Sequence, residues 1–119
     1  MPQQLNLAFE ADPLGIDVHD AGAKLDKGKP RLGLVLGDFS NALEQVGRVG
    51  TYGATKYSDH GWKSVSDGQA RYTDAMLRHL FTELGGEVFD PDTGLYHAAQ
   101  TAWNALARLE ILLKEETHD

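Results

Sequence analysis

The sequence contains no cysteine, which excludes disulfide bonds and zinc sites built from thiolates. No apolar run approaches the roughly 20 residues of a membrane-spanning helix. The N-terminus also lacks the charged and apolar regions of a signal peptide. These absences lead us to expect a cytoplasmic protein that has no membrane partner.

Basic residues are also few, since 11 lysines and arginines stand against 18 aspartates and glutamates, for a formal charge of −7. A protein that binds the phosphate backbone needs a basic face, so we expect no polymeric nucleic acid as a partner. A small nucleotide is compatible with this charge, because a metal ion can bridge carboxylates and phosphates. Residues 1–22 show no sustained period, so we expect an extended, partly ordered arm before a single helical domain at 23–119.

Residues 70–111 have the pattern of two helices joined by a short acidic turn. Apolar residues recur at helical spacing in both halves, first at Tyr72, Met76, Leu80 and Leu84, then at Ala99, Trp103, Leu106, Leu109 and Leu113. A short connection favours antiparallel packing. The sequence therefore predicts a helical hairpin, with Asp92 or Thr93 as the N-cap of its second helix and Gly94 in the first turn.

One end of this hairpin would collect polar side chains. His79 and Glu83 are four residues apart and share a face of the first helix. Antiparallel packing would bring them close to Asp90 and Asp92 in the turn and to His97 in the second helix. Several titratable groups that converge are costly to bury unless they bind a metal or pair with one another. A ligand site and a core histidine with satisfied hydrogen bonds both fit this pattern.

A further helix precedes the hairpin and is predicted to run from a cap at Asp38 or Ser40 to about Tyr57. Glycines inside a helix each cost up to ~1 kcal/mol against alanine. Their presence here indicates the close approach of another helix or of a ligand at Gly47, Gly50 and Gly53. Glu44 of this helix is a candidate metal ligand, and membership of a surface stripe is its alternative.

Basic and aromatic residues lie on both sides of that helix. Residues 24–31 include four basic side chains. They form either a phosphate-contacting loop, in which Lys29 and Arg31 contact the phosphates, or a solvated linker. The alternation that follows predicts a short extended segment at Leu32, Leu34 and Leu36. Beyond the helix, Trp62 either fills the core or stacks on a base.

Three stretches of the sequence carry a resemblance to a known family: KLDKGKPRLGLV, ALEQVGRVGTYGATKYSDHGW and RYTDAMLRHLFTELGGEVFDPDTGLYHAAQTAWN. They contain the motifs K-x-D-x-G-K-P-R, T-Y-G-A-x-K-Y, R-H-L and D-P-x-T-G-x-x-H, with an asparagine seven residues after the last. From about Ala23 to Glu116 the chain resembles the small phage and bacterial dATP/dGTP diphosphohydrolases, relatives of the MazG-like nucleotide pyrophosphohydrolases. The resemblance implies an all-α fold, a MazG-like bundle of three to four helices. It also implies metal-dependent hydrolysis of a purine deoxynucleoside triphosphate to the monophosphate and pyrophosphate.

The resemblance also suggests roles for individual residues. The implied cofactor is Mg²⁺ or Mn²⁺, and the candidate ligands are Glu44, His79, Glu83, Asp90 and His97. MazG-like enzymes hold magnesium with E-x-x-E and E-x-x-D on paired helices, and the equivalent places here hold His79 and Glu83, then His97 through Asn104. Catalysis would fall to Glu83 and to the two histidines, which are either ligands or general bases. The candidate substrate contacts are Lys29, Arg31, Tyr52, Lys56, Tyr57, Trp62, Arg78 and Asn104.

A non-catalytic binding protein is the alternative class. A pocket rich in histidine and short of carboxylates would suit a phage anti-defence sponge, which sequesters a nucleotide signal without cutting it. In either class, a short chain of three helices leaves apolar surface for a partner, so we expect a homodimer or a homotetramer. A phage-encoded chain of this kind would act in the host cytoplasm.

Overall fold

The computed structural model describes residues 10–117, and their secondary structure is helical. Its elements are α1 (Leu32–Gly37), α2 (Ser40–Lys56), a 3-10 turn (Gly61–Ser64), α3 (Gly68–Leu84) and α4 (His97–Thr117). The extended pairing within residues 10–117 is limited to an isolated antiparallel bridge between Phe89 and Tyr96. The predicted all-α fold is therefore confirmed. Residues 1–9 of the predicted arm lie outside the described residues.

The chain divides into two compact units after residue 38. In the first unit, the carboxylate of Asp12 accepts hydrogen bonds from the backbone N–H of Leu14 at 2.7 Å and of Lys24 at 2.9 Å. A backbone bond of 2.9 Å from Lys27 to Ala11 closes the same loop. The pKa of Asp12 lies below its usual value because the N–H groups of Lys24 and Leu14 stabilise the ionised carboxylate. The boundary of the arm stays a prediction.

Helix α1 occupies the stretch that the alternating leucines predicted to be extended, and that prediction was wrong. The N–H of Val35 bonds to the carbonyl of Arg31 at 3.0 Å, as helical geometry requires. In the described part of the chain no strand lies beside this segment, so an extended backbone would lack partners there. A helix satisfies the same groups locally, and leucine is a strong helix former.

Helix α2 ends within one residue of its predicted end, where the N–H of Tyr57 bonds to the Gly53 carbonyl at 2.9 Å. Its N-cap is Phe39, and no side chain caps the first turn. The predicted caps, Asp38 and Ser40, were therefore wrong. Asp38 already has helical backbone angles at the end of α1, so the chain passes into α2 without the extended residue that a side-chain cap needs.

Only one of the three α2 glycines is explained by contact within the chain. A Cβ atom at Gly50 would lie 3.2 Å from Nε1 of Trp103, so the absence of a side chain lets the indole approach α2 closely. Cβ atoms at Gly47 and Gly53 would meet nothing within 4 Å. Close packing against the described residues therefore does not explain why those two positions are glycine.

Helices α3 and α4 form the predicted hairpin, and α2 packs on α4. Two contacts show that the hairpin is antiparallel. Arg108, in the second half of α4, donates to the hydroxyl of Thr73, in the first half of α3. At the opposite end, His79 late in α3 meets His97 at the start of α4. No helix in residues 10–117 is long and apolar enough to cross a membrane.

The core of the second unit is small. Among the described residues, the buried apolar side chains are Ala99 and Ala107. Beside them Trp62, Tyr72 and Trp103 pack edge-on in a triangle with ring centroids 5.6 to 6.2 Å apart. The Tyr72 hydroxyl donates to the Trp62 carbonyl at 2.7 Å, and burial raises the pKa of that hydroxyl. Trp62 therefore contributes to the core, whether or not it also contacts a base.

Candidate functional site

The connection between α3 and α4 is built around Asp90. Its carboxylate accepts the N–H of Asp92 at 2.9 Å, and its backbone carbonyl accepts the N–H of Gly94 at 2.7 Å. Gly94 has a φ of 75°, which glycine adopts without strain. The Thr93 hydroxyl is used within this turn, where it accepts the N–H of Leu95 at 3.1 Å, and α4 begins only at His97. The prediction that Asp92 or Thr93 caps it was wrong.

His97 is buried and held on three sides. Its backbone N–H bonds to the Val88 carbonyl at 3.0 Å. Its ring Nε2 lies 2.9 Å from Oε2 of Glu87, and its ring Nδ1 lies 2.9 Å from Nδ1 of His79. An ionised carboxylate only accepts, so this network assigns the proton of neutral His97 to Nε2. Nδ1 of His97 is then the acceptor of a bond that His79 donates.

Three side chains form a group that we call the ligand triad: His79, Asp90 and His97. Each offers one ligand atom, and all three atoms lie within 4.8 Å of one another. Nδ1 of His79 is 4.0 Å from Oδ2 of Asp90 and 2.9 Å from Nδ1 of His97. Neighbouring ligand atoms on a divalent ion with bonds of about 2.1 Å are separated by roughly 3 Å. The 2.9 Å spacing matches this value and the 4.0 Å spacing exceeds it, so the ligand triad would hold a single metal ion after its side chains draw closer together.

The protonation states of the triad suit a cation. Burial lowers the pKa of His79, and the neighbouring ring of His97 lowers it further. Burial alone would raise the pKa of Asp90, but hydrogen bonds from the N–H of Asp92 and the side chain of Gln100 outweigh it, so that pKa is lowered. At neutral pH His79 is therefore neutral and Asp90 ionised, as metal ligands must be.

Two buried amides connect the triad to the interior of α4. Gln100 donates from Nε2 to Oδ2 of Asp90 at 3.1 Å, and Asn104 donates from Nδ2 to the backbone carbonyl of Gln100 at 2.8 Å. Both side chains are buried. They lie one and two turns after His97 and share its face of α4. This chain of bonds holds Asp90 and leads to Asn104, which also lines a cleft.

The cleft has a volume of about 1010 Å³ and is lined by residues of α2, the 3-10 turn, α3 and α4. That volume is enough for a nucleotide-sized ligand. The lining residues that bear on function are Gly53, Tyr57, Trp62, Arg71, Arg78 and Asn104. The residues of the ligand triad are not part of the wall. They adjoin the cleft through Arg78, which precedes His79 on α3, and through the bonds from Asn104 to Gln100 to Asp90.

Comparison with known proteins identifies the family. A family model described as dATP/dGTP diphosphohydrolase, N-terminal, matches residues 19–119. The chain belongs to this family. It is also 33% identical over 98 residues to a dATP/dGTP diphosphohydrolase of Salmonella phage PMBT28, an alignment that covers 82% of this chain and 32% of the relative. The chain thus spans about a third of that relative's length. No solved structure matches it.

The motifs that carried the resemblance to the dATP/dGTP diphosphohydrolase family supply the whole ligand triad. The R-H-L motif contains His79, and the D-P-x-T-G-x-x-H motif begins with Asp90 and ends with His97. Asn104, seven residues after the last motif, lies in the wall of the cleft. Motifs that are separate in the sequence therefore meet at one end of the hairpin.

Two predicted metal ligands lie outside the triad. Glu44 is exposed on α2 and pairs with Arg48 at 3.0 Å, one turn further along the same helix. Glu83 is half-buried in the last turn of α3. The group of potential ligand atoms found within residues 10–117 includes neither carboxylate. Their assignment as ligands stays a prediction.

The predicted substrate contacts divide into three sets. Four of them line the cleft: Tyr57, Trp62, Arg78 and Asn104. Tyr52 and Lys56 do not line it, and the Lys56 ammonium lies 5.3 Å from the centre of the Tyr57 ring. Lys29 and Arg31 are exposed residues of the first unit.

Sequence reasoning assigned no role in the site to Glu87, Gln100 or Arg71. Gln100 could have been found, because its spacing from His97 and Asn104 puts all three on one helical face. Arg71 could have been found in the same way, two turns before Arg78 on α3. Glu87 gave no such signal, because its contact with His97 depends on the path of an irregular connection.

Proposed function

We propose that this chain hydrolyses dATP or dGTP to the deoxynucleoside monophosphate and pyrophosphate, using a divalent metal ion held by the ligand triad. Its membership of the family and the name of its phage relative support the reaction class. The observation that carries the proposal is the triad itself, three ligand atoms within 4.8 Å of one another beside a large cleft. A helical hairpin that only needed to fold would gain more from apolar side chains at these buried positions.

The donor set indicates the kind of ion. Two imidazole nitrogens and one carboxylate oxygen favour Mn²⁺ or another transition ion over Mg²⁺, which prefers oxygen ligands. When bound, such an ion supplies a Lewis acid for a phosphoryl oxygen and lowers the pKa of a bound water. The chain itself contributes the orientation of the donors, through the bonds of Asp90 to Asp92 and Gln100 and of His97 to Glu87.

The phosphates are assigned to the α3 side of the cleft. Arg71 and Arg78 both line it, two turns apart on one helix. Arg71 makes one bond of 3.3 Å to the Ser66 carbonyl. Among the described residues, Arg78 makes no hydrogen bond or ion pair with the rest of the chain, so all its donors are free for a ligand. A guanidinium group binds phosphate oxygens in pairs. Lys29, Arg31 and Lys56 are further candidates for this role.

The base is assigned to the aromatic side of the cleft, where Tyr57 and Trp62 offer ring surfaces. Asn104 donates one of its two amide hydrogens to the Gln100 carbonyl, and its side-chain oxygen remains an acceptor at the cleft wall. That oxygen suits the exocyclic amino group of adenine or guanine. Tyr52 is a further candidate for contact with the base.

One observation favours the second candidate function, which is sequestration of a nucleotide without hydrolysis. The ligand triad contains a single carboxylate, and Glu44 and Glu83 are not part of it. A site with so little negative charge holds a divalent ion less firmly than a cluster of carboxylates would. A nucleotide bound by arginines and aromatic rings alone would then be released intact.

Pyrophosphate release separates the two functions. The substrates are deoxynucleoside and ribonucleoside triphosphates with Mn²⁺ or Mg²⁺, and the variants are Asp90→Asn and, as a charge-matched control on exposed α4 surface, Glu110→Gln. The proposal expects release from dATP or dGTP, faster with Mn²⁺, lost in Asp90→Asn and kept in Glu110→Gln. Nucleotide that binds and returns intact from every mixture would reject hydrolysis and support sequestration.

We also propose that the chain acts as a homodimer or a homotetramer in the host cytoplasm. The support for an oligomer is a set of large apolar side chains exposed on α4: Leu106, Leu109, Leu112 and Leu113. Exposed apolar stripes of this kind mark interaction surfaces. The phage origin of the relative supports the location.

A further inference from the structure

Glu87 is outside the ligand triad but contacts one of its members. Its Oε2 lies 2.9 Å from Nε2 of His97, whose side chain is 5% exposed, whereas the Glu87 side chain is 46% exposed. The next residue, Val88, accepts the backbone N–H of His97 at 3.0 Å. Two successive residues of the α3–α4 connection therefore hold the ring and the backbone of the same histidine.

This contact determines which ring nitrogen of His97 carries the proton and which keeps a lone pair. A neutral imidazole carries one proton on one of two nitrogens, and an ionised carboxylate can only accept. The Glu87 carboxylate therefore draws the proton to Nε2 and leaves Nδ1 unprotonated. Nδ1 is the atom of His97 that lies 2.9 Å from Nδ1 of His79.

The two histidines of the triad are not equivalent in this respect. His79 lies 4.0 Å from the Asp90 carboxylate, and its hydrogen-bond partner among residues 10–117 is His97. The Glu87 carboxylate holds the ring of His97 at Nε2. Among residues 10–117, no carboxylate holds the ring of His79 in this way. The charged or titratable groups that face His97 are Glu87, His79 and Asp90.

We propose that Glu87 is a positioning residue, which fixes His97 in the tautomer that presents an Nδ1 lone pair to the metal ion. The role rests on the metal site proposed above. Carboxylates behind ligating histidines typically change metal affinity by about 10- to 100-fold when they are removed. Glu87 thereby makes His97 the firmer of the two histidine ligands, and His79 the one more easily displaced.

The test compares four proteins: the wild-type chain, Glu87→Ala, Glu87→Gln and the exposed control Glu110→Gln. In the first measurement, ¹⁵N NMR of the metal-free proteins reads the protonation of each ring nitrogen of His97, at a pH where both histidines are neutral. In the second, Mn²⁺ titration gives the affinity of each protein. Glutamine at position 87 keeps an oxygen that accepts the Nε2–H, so it separates loss of the acceptor from loss of the charge.

In the wild-type chain and in Glu110→Gln we expect the proton of His97 on Nε2. Glu87→Ala should mix the two tautomers and weaken Mn²⁺ binding by roughly 10- to 100-fold, and Glu87→Gln should restore the tautomer and most of the affinity. An unchanged His97 spectrum in Glu87→Ala would overturn the proposal, as would Mn²⁺ affinity equal to that of the control. A wild-type chain that binds Mn²⁺ with this dependence on Glu87 but releases no pyrophosphate would reject the proposed hydrolysis alone.

Discussion

Nδ1 of His79 and Nδ1 of His97 lie 2.9 Å apart, although the two residues are 18 positions apart and belong to different helices. Two protonated nitrogens cannot approach so closely without repulsion, so one must be bare. Burial and the neighbouring ring of His97 lower the pKa of His79, which favours its neutral form. A neutral His79 beside an ionised Asp90 is a site that a cation can enter.

Metal binding should therefore be visible as stability. At an Mn²⁺ concentration 100 times Kd, one site that exists only in the folded chain adds about 2.7 kcal/mol, which is roughly 10 °C in Tm for a chain of this size. We expect such a shift in thermal unfolding of the wild-type chain, reversed by EDTA and lost in His97→Ala. The exposed histidine variant His60→Ala is the control. Equal shifts in both variants would mean that the ion binds elsewhere.

The absence of a side chain at Gly53 should be needed for a nucleotide to fit in the cleft. It lines the cleft, and a Cβ there would meet no atom of the chain within 4 Å, so a larger side chain would extend into the space that we assign to nucleotide. We expect Gly53→Leu to weaken dATP binding by at least about 10-fold while helix content is kept or raised, since leucine favours helix over glycine. Isothermal titration calorimetry measures the affinity.

Gly47 provides the matched control for that variant. It lies in the same helix, is exposed, is not in the cleft wall, and a Cβ there would also meet nothing. Gly47→Leu should gain helix stability and keep its affinity for dATP. If both leucine variants bind dATP as the wild-type chain does, the nucleotide does not occupy the cleft beside α2.

Arg78 should contribute to the binding of a nucleotide but not to the binding of a nucleoside, which has no phosphate. Its guanidinium makes no hydrogen bond or ion pair among the described residues, so its removal breaks no such contact, although its charge contributes to the lowered pKa of His79. We expect Arg78→Ala to weaken dATP binding by about 10-fold, given that a charge-assisted bond contributes about 1.5 to 3 kcal/mol, and to leave deoxyadenosine binding unchanged. Arg48→Ala, which removes an exposed arginine paired with Glu44, should change neither affinity. An equal loss for both ligands in Arg78→Ala would place Arg78 away from the phosphates.

The sequence predicted the long helices well because their apolar residues repeat at helical spacing over 17 or more positions. It failed at α1, where alternate leucines imitate a strand over only six residues. It failed again at the start of α4, where Asp92 and Thr93 have the composition of a cap but belong to a turn around Asp90. Short segments take their structure from neighbours that a local pattern does not contain.

The candidate site was predictable to a similar extent and for a similar reason. His79 and His97 followed from helix faces and from antiparallel packing, both of which are regular. Glu83 shares a helical face with His79, yet Asp90 is the carboxylate that lies beside both histidines. An irregular connection folds back on the site and supplies both Asp90 and Glu87. The place of Asp90 near the histidines followed from its position in the short turn, but that of Glu87 did not, because no periodicity predicts the path of the connection.

The Asp12 carboxylate should titrate below the usual range for an aspartate. Its folded-state pKa is lowered by the N–H groups of Lys24 and Leu14, so its stabilising contribution is fully present above the unfolded-state pKa and is lost as the pH falls through the folded-state pKa. We expect the amide resonances of Lys24 and Leu14 to shift together at a midpoint below the ordinary value of about 3.9. The same resonances should show no such transition in Asp12→Asn. A midpoint at the ordinary value would mean that these bonds do not persist in solution.

The exposed leucines of α4 should hold copies of the chain together. Leu106 and Leu109 are 53% and 51% exposed, while the buried apolar side chains among the described residues are two alanines. A helical unit with so small a core gains stability when a partner covers its apolar stripe. We expect light scattering of the wild-type chain to give two or four times its mass of 13.0 kDa.

Charge at the stripe should dissociate that assembly without unfolding the monomer. Leu106→Glu and Leu109→Glu place a carboxylate where the single chain exposes it to water but where an interface would bury it unpaired, which is costly. Both should shift the mass to 13.0 kDa and keep the helical circular dichroism of the wild-type chain. Leu14→Glu, at a leucine of the first unit that is 84% exposed, serves as the control and should leave the mass unchanged. If the α4 variants keep the wild-type mass, the copies associate through another surface, and a wild-type mass of one chain would reject the oligomer altogether.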